Sequence, residues 1–221
     1  MKLLDEIHEY LIKLGYSKED VEYFDSSSVY IAQEIAMYAH RKQRRVNGKP
    51  YFTHPYGVMQ RYRNFVGIKE DDYFCLDVDL LSYECGVPYN GVQELCLMHD
   101  VLEDSEITIE QIGEIYDDFG LKSYFECYMK EPLKLLTHAE GQDYFEYIDN
   151  ILTSSIASIV KFMDLSDNMN VITLNVLGDK ELNRIKKYAD CAKKINDKWH
   201  YLENVEKYHF LRAQKKMREK Q

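Results

Sequence analysis

Apolar residues recur every three or four positions along most of the chain, which predicts amphipathic helices. The first stripe runs through Leu3, Ile7 and Leu11 and is expected to end at Gly15, before a short helix over about 18–24. The same spacing predicts further helices over about 28–45, 56–66, 90–104, 108–120, 121–130, 142–152 and 155–170. The pattern therefore predicts an all-α fold.

The C-terminal part carries the longest apolar stripe, from Leu182 to Leu202, and predicts a long helix with a break near Asn196-Asp197. This helix is expected either to complete the core or to mediate a homodimer. Residues 67–90 are irregular and leave room for a short strand. We expect a single domain over residues 1–221. Its parts are N-terminal helices over 1–27, a core over about 28–170 and a C-terminal helix over 179–221.

Composition narrows the class of protein. The net charge of −10 argues against binding to nucleic-acid polymers or anionic membranes, both of which favour basic surfaces. No apolar run approaches the ~20 residues that span a bilayer, and the acidic N-terminus does not resemble a signal peptide. The 5 cysteines are scattered, which is typical of reduced thiols in a cytoplasmic protein.

Four polar residues follow the apolar run Leu95–Met98 in the pattern His-Asp-x-x-Glu-Asp. At 100° per residue, His99, Asp100 and Asp104 fall within an arc of about 100° on a helix, and Glu103 flanks it. Three carboxylates on one face would repel one another and would be costly to desolvate. The cluster therefore predicts a divalent cation.

Two distant residues fit the same site. His40 follows the apolar face of its helix, where a lone histidine is more often a hydrogen-bonded core residue than a ligand. Asp164 follows an apolar segment and needs a partner, either a cation or an ordinary cap or ion pair. Together with His99 and Asp100, they would provide two imidazoles and two carboxylates. Such a mixed set suits Mn²⁺ or Fe²⁺ better than a closed structural zinc site.

Four ordered segments resemble the HD-domain metal-dependent phosphohydrolases. They are His40–Pro55 with its Gly-Lys-Pro-Tyr and His-Pro elements, His99–Asp104, Thr108–Gly120, and Lys161–Asn168. More specifically, they resemble the alarmone hydrolases, meaning the hydrolase half of Rel/Spo-type enzymes and the stand-alone (p)ppGpp hydrolases. The resemblance covers about 28–170. It implies an HD-domain helical bundle that hydrolyses a nucleotide or related phosphate ester in the cytoplasm.

The resemblance also implies roles for individual residues. The implied metal ligands are His40, His99, Asp100 and Asp164. The metal is expected to be Mn²⁺, with Fe²⁺ or Mg²⁺ as alternatives. The implied water-handling carboxylates are Glu103 and Asp104, and Asn168 is expected near the substrate.

Positive charges are needed for the phosphates of the substrate, and Arg44 and Lys161 are the candidates. The basic residues around Arg44 could instead complement a helix dipole. His54 is expected to be structural, and Tyr51 is expected to pack.

The chain departs from the family pattern in three places, one of which is the segment 136–148, shorter than in alarmone hydrolases. The stretch 71–90 is an acidic, Tyr-rich insertion that is expected to cover or border the pocket. Leu165-Ser-Asp167 replaces the usual basic and aromatic residues beside the aspartate of the motif. The expected function is (p)ppGpp 3′-pyrophosphohydrolase activity. The alternatives are a nucleotidase or phosphatase of the same fold with another substrate, and a catalytically silent nucleotide-sensing module.

Overall fold

The computed structural model describes residues 2–24, 27–68, 77–171 and 177–219. Within these ranges the chain is helical, and its only extended pairing is an isolated antiparallel bridge between Arg44 and Pro50. The first seven α-helices are α1 (Leu3–Lys13), α2 (Lys18–Phe24), α3 (Ser28–Ala39), α4 (Thr53–Val66), α5 (Val92–Met98), α6 (Val101–Asp104) and α7 (Ile109–Asp118). The next six are α8 (Lys122–Tyr128), α9 (Lys130–Leu136), α10 (Tyr144–Ile151), α11 (Ser155–Asn168), α12 (Asp179–Trp199) and α13 (Tyr201–Arg218).

Helix α5 lies at the centre of the fold. Every residue from Val92 to Met98 is buried, and α5 packs against α3, α4, α9 and α11. The apolar residues of these helices form a hydrophobic core that extends into α1, α12 and α13. Because α5 is enclosed, the residues at its C-terminal end are buried as well, and this is where His99 and Asp100 lie.

Helix α3 ends earlier than its apolar stripe predicted. It stops at Ala39 instead of continuing to about residue 45, and the chain turns back on itself through Gly48, where φ is 79°. The turn is held by Gly48 N–H donating to Arg45 O (2.8 Å) and by Tyr51 N–H donating to Gln43 O (3.2 Å). Glycine adopts this left-handed conformation without steric cost. The reversal places the basic residues in a loop beside the start of α4.

The helix predicted over 90–104 breaks at the polar cluster. His99 and Asp100 form the link between α5 and α6, and Asp100 has φ −98° and ψ −3°. The region predicted as a helix over 121–130 is also divided, since α8 ends at Tyr128 and α9 continues to Leu136. Pro132 lies in the first turn of α9, where its missing N–H costs no hydrogen bond.

The capping box predicted at Thr108 is present. Gln111 N–H donates to Thr108 Oγ1 (3.3 Å), and Thr108 N–H donates to Gln111 Oε1 (2.9 Å). The C-terminal stripe forms two helices, which meet at His200 (φ 53°) rather than near Asn196-Asp197. None of the described helices is both long enough and apolar enough to cross a membrane.

The insertion lies only partly within the described residues, because 69–76 fall outside them. Its described part contains a π-helical turn, Leu80–Glu84, that packs against α13. Asp77 forms an ion pair with Lys215 at 2.6 Å. The described part of the insertion therefore lies against the C-terminal helix, and it does not line the polar cavity described below.

Candidate functional site

Four side chains from three regions meet beside the C-terminal end of α5. His54 comes from the first turn of α4, His99 and Asp100 from the link between α5 and α6, and Asp164 from the middle of α11. Helices α4, α5 and α11 pack against one another, which brings these sequence-distant residues together. His54, His99 and Asp164 are 2–3% exposed, so their polar atoms are almost completely shielded from water.

The polar atoms of this cluster lie close to one another. Single ligand atoms of His54, His99 and Asp100 all lie within 4.8 Å of each other. Asp164 Oδ1 lies 3.1 Å from His54 Nε2 and 3.6 Å from His99 Nε2. Asp100 Oδ2 lies 3.2 Å from His99 Nε2 and 3.7 Å from His54 Nε2. Ligands that bind one ion at about 2.1 Å would be roughly 3 Å apart, so these separations suit a single cation.

Both imidazoles present Nε2 to the carboxylates. His54 Nδ1–H donates to Asp167 Oδ2 (2.8 Å), and His99 Nδ1–H donates to the carbonyl of Cys96 (2.9 Å). Within the described residues, His99 Nε2 is buried and forms no hydrogen bond of normal geometry. A buried lone pair facing carboxylates is unfavourable unless a proton or a cation lies between them. The two imidazoles and two carboxylates therefore fit a divalent metal.

The charges of the cluster shift its pKa values strongly. Burial alone would lower the pKa of His99, but the carboxylates of Asp100 and Asp164 outweigh it and raise this pKa well above its usual range. Burial would raise the pKa of Asp164, but Lys161 and the two imidazoles hold it well below the usual value. The carboxylates therefore remain ionised and require positive charge beside them, which a metal ion provides when the histidines are neutral.

His40 lies beside this cluster, although the resemblance implied that it would be a ligand. It is outside the group of ligand atoms that the described residues bring within 4.8 Å. Its Nδ1 lies 2.5 Å from Gln43 Oε1, and its ring packs 4.8 Å from the ring of Tyr51. His40 follows the early end of α3, whereas the turn that follows carries His54 to the cluster. His40 Nε2, like His99 Nε2, is buried without a hydrogen-bond partner among the described residues, whereas His54 Nε2 lies 3.1 Å from Asp164 Oδ1. The role of His40 as a metal ligand therefore stays a prediction, and His54 is a second candidate imidazole.

Tyr51 does more than pack. Its hydroxyl donates a hydrogen bond to Asp100 Oδ2 at 2.7 Å. Burial, followed by the negative charge of Asp100, raises the pKa of Tyr51, so the phenol stays protonated and remains a donor. Tyr51 therefore fixes the orientation of the Asp100 carboxylate.

Glu103 and Asp104 lie at the exposed rim of the cluster on α6. Glu103 Oε2 accepts a hydrogen bond from the backbone N–H of His138 at 3.1 Å. Partial desolvation raises the pKa of Glu103, and the same effect, reinforced by the charge of Asp100, raises that of Asp104. Carboxyl groups with raised pKa values are suited to taking up and returning protons near neutral pH.

The three residues expected at the substrate have different positions. Arg44 is exposed and lines a cavity of about 250 Å³ that opens beside His54 and Asn168. Asn168 Nδ2 donates to Asp164 Oδ1 at 2.5 Å. Lys161 Nζ lies 2.8 Å from Asp164 Oδ2 and its side chain is 12% exposed, so its charge is directed at a carboxylate of the cluster. Of the three, Arg44 is the one with an exposed charge at this cavity.

Sequence reasoning assigned no role to several charged residues of the site. Arg45 and Arg184 line the same cavity as Arg44, so three guanidinium groups surround it. Asp167 binds His54 and forms ion pairs with Arg45 and Arg61 at 3.5 and 3.1 Å. Asp167 could have been found from its position three residues after Asp164, which places both on one helical face. Arg184 gives no such signal, because α12 is distant in sequence.

Comparison with known proteins finds curated relatives, although no family model matches the chain. Three curated relatives are guanosine-3′,5′-bis(diphosphate) 3′-pyrophosphohydrolases named MESH1. Those of Mus musculus and Homo sapiens are 27% identical over 90 residues, and that of Xenopus tropicalis is 29% identical over 90 residues. The match spans 40% of this chain and 40% of each relative's length.

A solved structure supports the fold. It is that of a metazoan ortholog of SpoT, described as hydrolysing ppGpp and playing a role in starvation responses. The TM-score is 0.51 at 20% identity, over 84% of this chain and 96% of that one. The predicted all-α fold is thereby confirmed. The resemblance to alarmone hydrolases agrees with the names of the curated relatives.

Proposed function

We propose that this chain is a metal-dependent phosphohydrolase that removes pyrophosphate from the 3′ position of (p)ppGpp. The cluster of His54, His99, Asp100 and Asp164 carries the proposal, since its separations of 3.1–3.7 Å suit one shared cation. The curated relatives support the substrate, because their names describe this reaction. With ppGpp, addition of water would give GDP and pyrophosphate.

We assign the metal to Mn²⁺, for which mixed imidazole and carboxylate ligands are suitable. His99, Asp100 and Asp164 would hold it together with the imidazole of His40 or His54. A bound divalent cation would supply Lewis-acid polarisation of the phosphoryl group and would make water more acidic.

The other residues bind substrate and transfer protons. Arg44, Arg45 and Arg184 surround the adjoining cavity, and their guanidinium groups suit the several negative charges of a diphosphate. We assign proton uptake from water to Glu103, whose backbone hydrogen bond from His138 fixes one carboxylate oxygen and leaves the other for the proton. Asp104 lies at the same rim and would provide a second carboxyl group for proton transfer, because its pKa is also raised.

We extend the proposal to a cytoplasmic location, where nucleotides are available and thiols stay reduced. Cys85, Cys96, Cys127 and Cys191 are free thiols in the described chain. A homodimer also remains a proposal. Leu202 and Phe210 on α13 are 47% and 61% exposed, and light scattering would measure the mass in solution.

The test is a turnover assay with purified protein that has been stripped of metal and resupplied with Mn²⁺. The substrates are ppGpp, GTP, nucleoside monophosphates and NADPH, and the products are separated by anion exchange. We expect GDP and pyrophosphate from ppGpp, and loss of turnover in Asp164→Ala. Hydrolysis of a different substrate alone would support another phosphohydrolase of this fold. Nucleotide binding without turnover would support a sensing module.

A further inference from the structure

Gln43 lies in the loop after α3 and contacts both His40 and the helix of the rim carboxylates. Its Oε1 lies 2.5 Å from His40 Nδ1, and its Nε2 donates to the backbone carbonyl of Asp104 at 3.3 Å. Gln43 and Asp104 are 61 residues apart along the chain. One amide group therefore joins a buried histidine beside the metal site to α6.

The backbone of Gln43 is fixed by the loop itself. Gln43 N–H donates to His40 O at 3.0 Å, and Gln43 O accepts from Tyr51 N–H at 3.2 Å. The same carbonyl accepts from Arg44 Nη1–H at 2.9 Å. With the backbone held on both sides, the side chain loses less freedom when it forms its two hydrogen bonds.

The carbonyl of Asp104 determines which way the amide of Gln43 points. A carbonyl oxygen only accepts hydrogen bonds, so the NH₂ group of Gln43 has to face it. The amide oxygen then faces His40 and needs a donor there. The ring nitrogen Nδ1 of His40 therefore carries a hydrogen.

This arrangement also defines the second ring nitrogen of His40. Among the described residues, Nε2 is buried and has no hydrogen-bond partner, so a hydrogen on it would be buried without an acceptor. A neutral ring with its hydrogen on Nδ1 has a lone pair on Nε2. The ring packs 4.8 Å from that of Tyr51, whose hydroxyl binds Asp100, so His40 lies beside the metal site.

We propose that Gln43 is a positioning residue that fixes the tautomer of His40 and thereby keeps an unprotonated Nε2 beside the metal site. This inference rests on the proposed metal-dependent phosphohydrolase function. An unprotonated nitrogen can bind the ion or accept a hydrogen bond from the attacking water, whereas the other tautomer can do neither. The bond to Asp104 also ties the position of a rim carboxylate to that of His40.

The first test is ¹⁵N NMR spectroscopy of the metal-free protein at pH 8, where an ordinary histidine is neutral. In the wild type, the His40 Nε2 signal should be that of an unprotonated ring nitrogen. Gln43→Met keeps a similar length but offers only a weak acceptor, so the hydrogen should be shared between the two ring nitrogens. Gln43→Glu retains an acceptor for Nδ1–H, and its Nε2 should stay unprotonated.

The second test is calorimetric titration with Mn²⁺ and turnover of ppGpp in the same variants. In Gln43→Met, we expect Mn²⁺ affinity to fall at least about tenfold if His40 binds the ion. If His40 instead accepts from water, kcat at saturating Mn²⁺ should fall by at least this factor. Gln43→Glu should retain more of the affected quantity than Gln43→Met.

Gln111→Met is the matched control, because Gln111 lines the same surface cavity as Gln43 but bonds to Thr108 in the capping box of α7. Loss of that bond should lower the melting temperature. The tautomer of His40, the Mn²⁺ affinity and kcat should stay as in the wild type. A purely structural role for Gln43 would give the same pattern in Gln43→Met.

A hydrogen on Nε2 of His40 in the wild type would overturn the inference. Wild-type Mn²⁺ affinity together with wild-type kcat in Gln43→Met would overturn it as well, and so would a changed tautomer in Gln43→Glu. The NMR measurement needs neither metal nor turnover. A wild type that shows the expected tautomer but leaves ppGpp intact would therefore refute the proposed function and leave the tautomer assignment standing.

Discussion

Replacing Lys161 by methionine removes the positive charge that lies 2.8 Å from Asp164 Oδ2. Methionine keeps a similar length and an apolar stem, so the main loss is electrostatic. At this distance and an effective dielectric constant of about 20, the attraction is about 6 kcal/mol before desolvation is subtracted. Removing one partner of a buried pair costs about 3–5 kcal/mol, because the other charge stays buried. Asp164 retains Asn168 at 2.5 Å and His54 at 3.1 Å, so we expect the lower end, about 3 kcal/mol.

The assay is urea and thermal unfolding of the metal-free protein. A loss of about 3 kcal/mol corresponds to a fall in melting temperature of roughly 6–12 °C for a chain of this size. Added Mn²⁺ should restore part of the loss in Lys161→Met, because a bound cation compensates the charge of Asp164 and stabilises the folded state. If Lys161 instead contacts substrate, as the sequence suggested, KM would rise and stability would change little.

The chain offers a matched control. Lys134 and Glu131 form a pair with the same 2.8 Å distance and the same three-residue separation, but both side chains are exposed. Water screens such a pair, so Lys134→Met should leave the unfolding midpoint unchanged. Equal midpoints for Lys161→Met and wild type would refute the reasoning, and so would equal losses in the two methionine variants.

Three further predictions concern single groups. Calorimetric titration of His40→Gln and His54→Gln side by side decides which imidazole binds the metal. The variant that loses a ligand should weaken Mn²⁺ binding by more than about 100-fold, beyond the effect of losing a supporting residue, and the other variant should bind Mn²⁺ far more tightly. Wild-type affinity in both variants would contradict a second imidazole ligand. Glu103→Gln should lower kcat for ppGpp by roughly 10²- to 10⁴-fold while Mn²⁺ affinity stays the same. If kcat and Mn²⁺ affinity fall by the same factor, Glu103 acts through the metal instead. Glu94 accepts hydrogen bonds from Ser28 and Tyr124, and burial raises its pKa. Folding therefore favours the protonated form, so the stability of the protein falls as pH rises above about 4.5 and passes through the raised pKa. The gain in unfolding free energy of Glu94→Gln over wild type should therefore be larger at pH 8 than at pH 4. A gain confined to pH 4 in urea titrations would contradict this.

Helical periodicity was sufficient to predict the fold class and most helices, because each amphipathic stripe is a local property of the chain. The ends of elements were less predictable where two structures compete. The apolar stripe of α3 favoured a helix to about residue 45. The helix ends at Ala39, because the following residues form the loop that turns at Gly48 before α4. The break at His99 and Asp100 could not be predicted either, because the residues on both sides form helices and the pattern continues across it.

The candidate site was predictable in part. His99, Asp100 and Asp164 were selected because buried carboxylates beside imidazole require a cation, and the structure places them together. The second imidazole was assigned to His40, whose Nε2 is buried without a partner beside the cluster, and packing of α4 adds His54 as an alternative. That choice depends on how a loop of about 13 residues folds back, which helical periodicity does not encode.

The electrostatic environment was the least predictable part. Lys161 was predicted to bind phosphate, and the structure shows its ion pair with Asp164 one turn along α11, so its contact with substrate stays a prediction. The arginine from α12 reaches the cavity only through tertiary packing. A charge that comes from a distant helix, as Arg184 does, leaves no periodic trace in a single sequence.

The most direct test of the central claim is a crystal of the protein soaked in Mn²⁺, with anomalous scattering measured at the manganese absorption edge. We predict one strong anomalous peak at about 2.1 Å from Nε2 of His99, single carboxylate oxygens of Asp100 and Asp164, and Nε2 of either His40 or His54. A peak that lacks His99, Asp100 or Asp164 among its ligands would contradict the ligand assignment. Absence of any peak among these residues at saturating Mn²⁺ would contradict the metal-dependent mechanism itself.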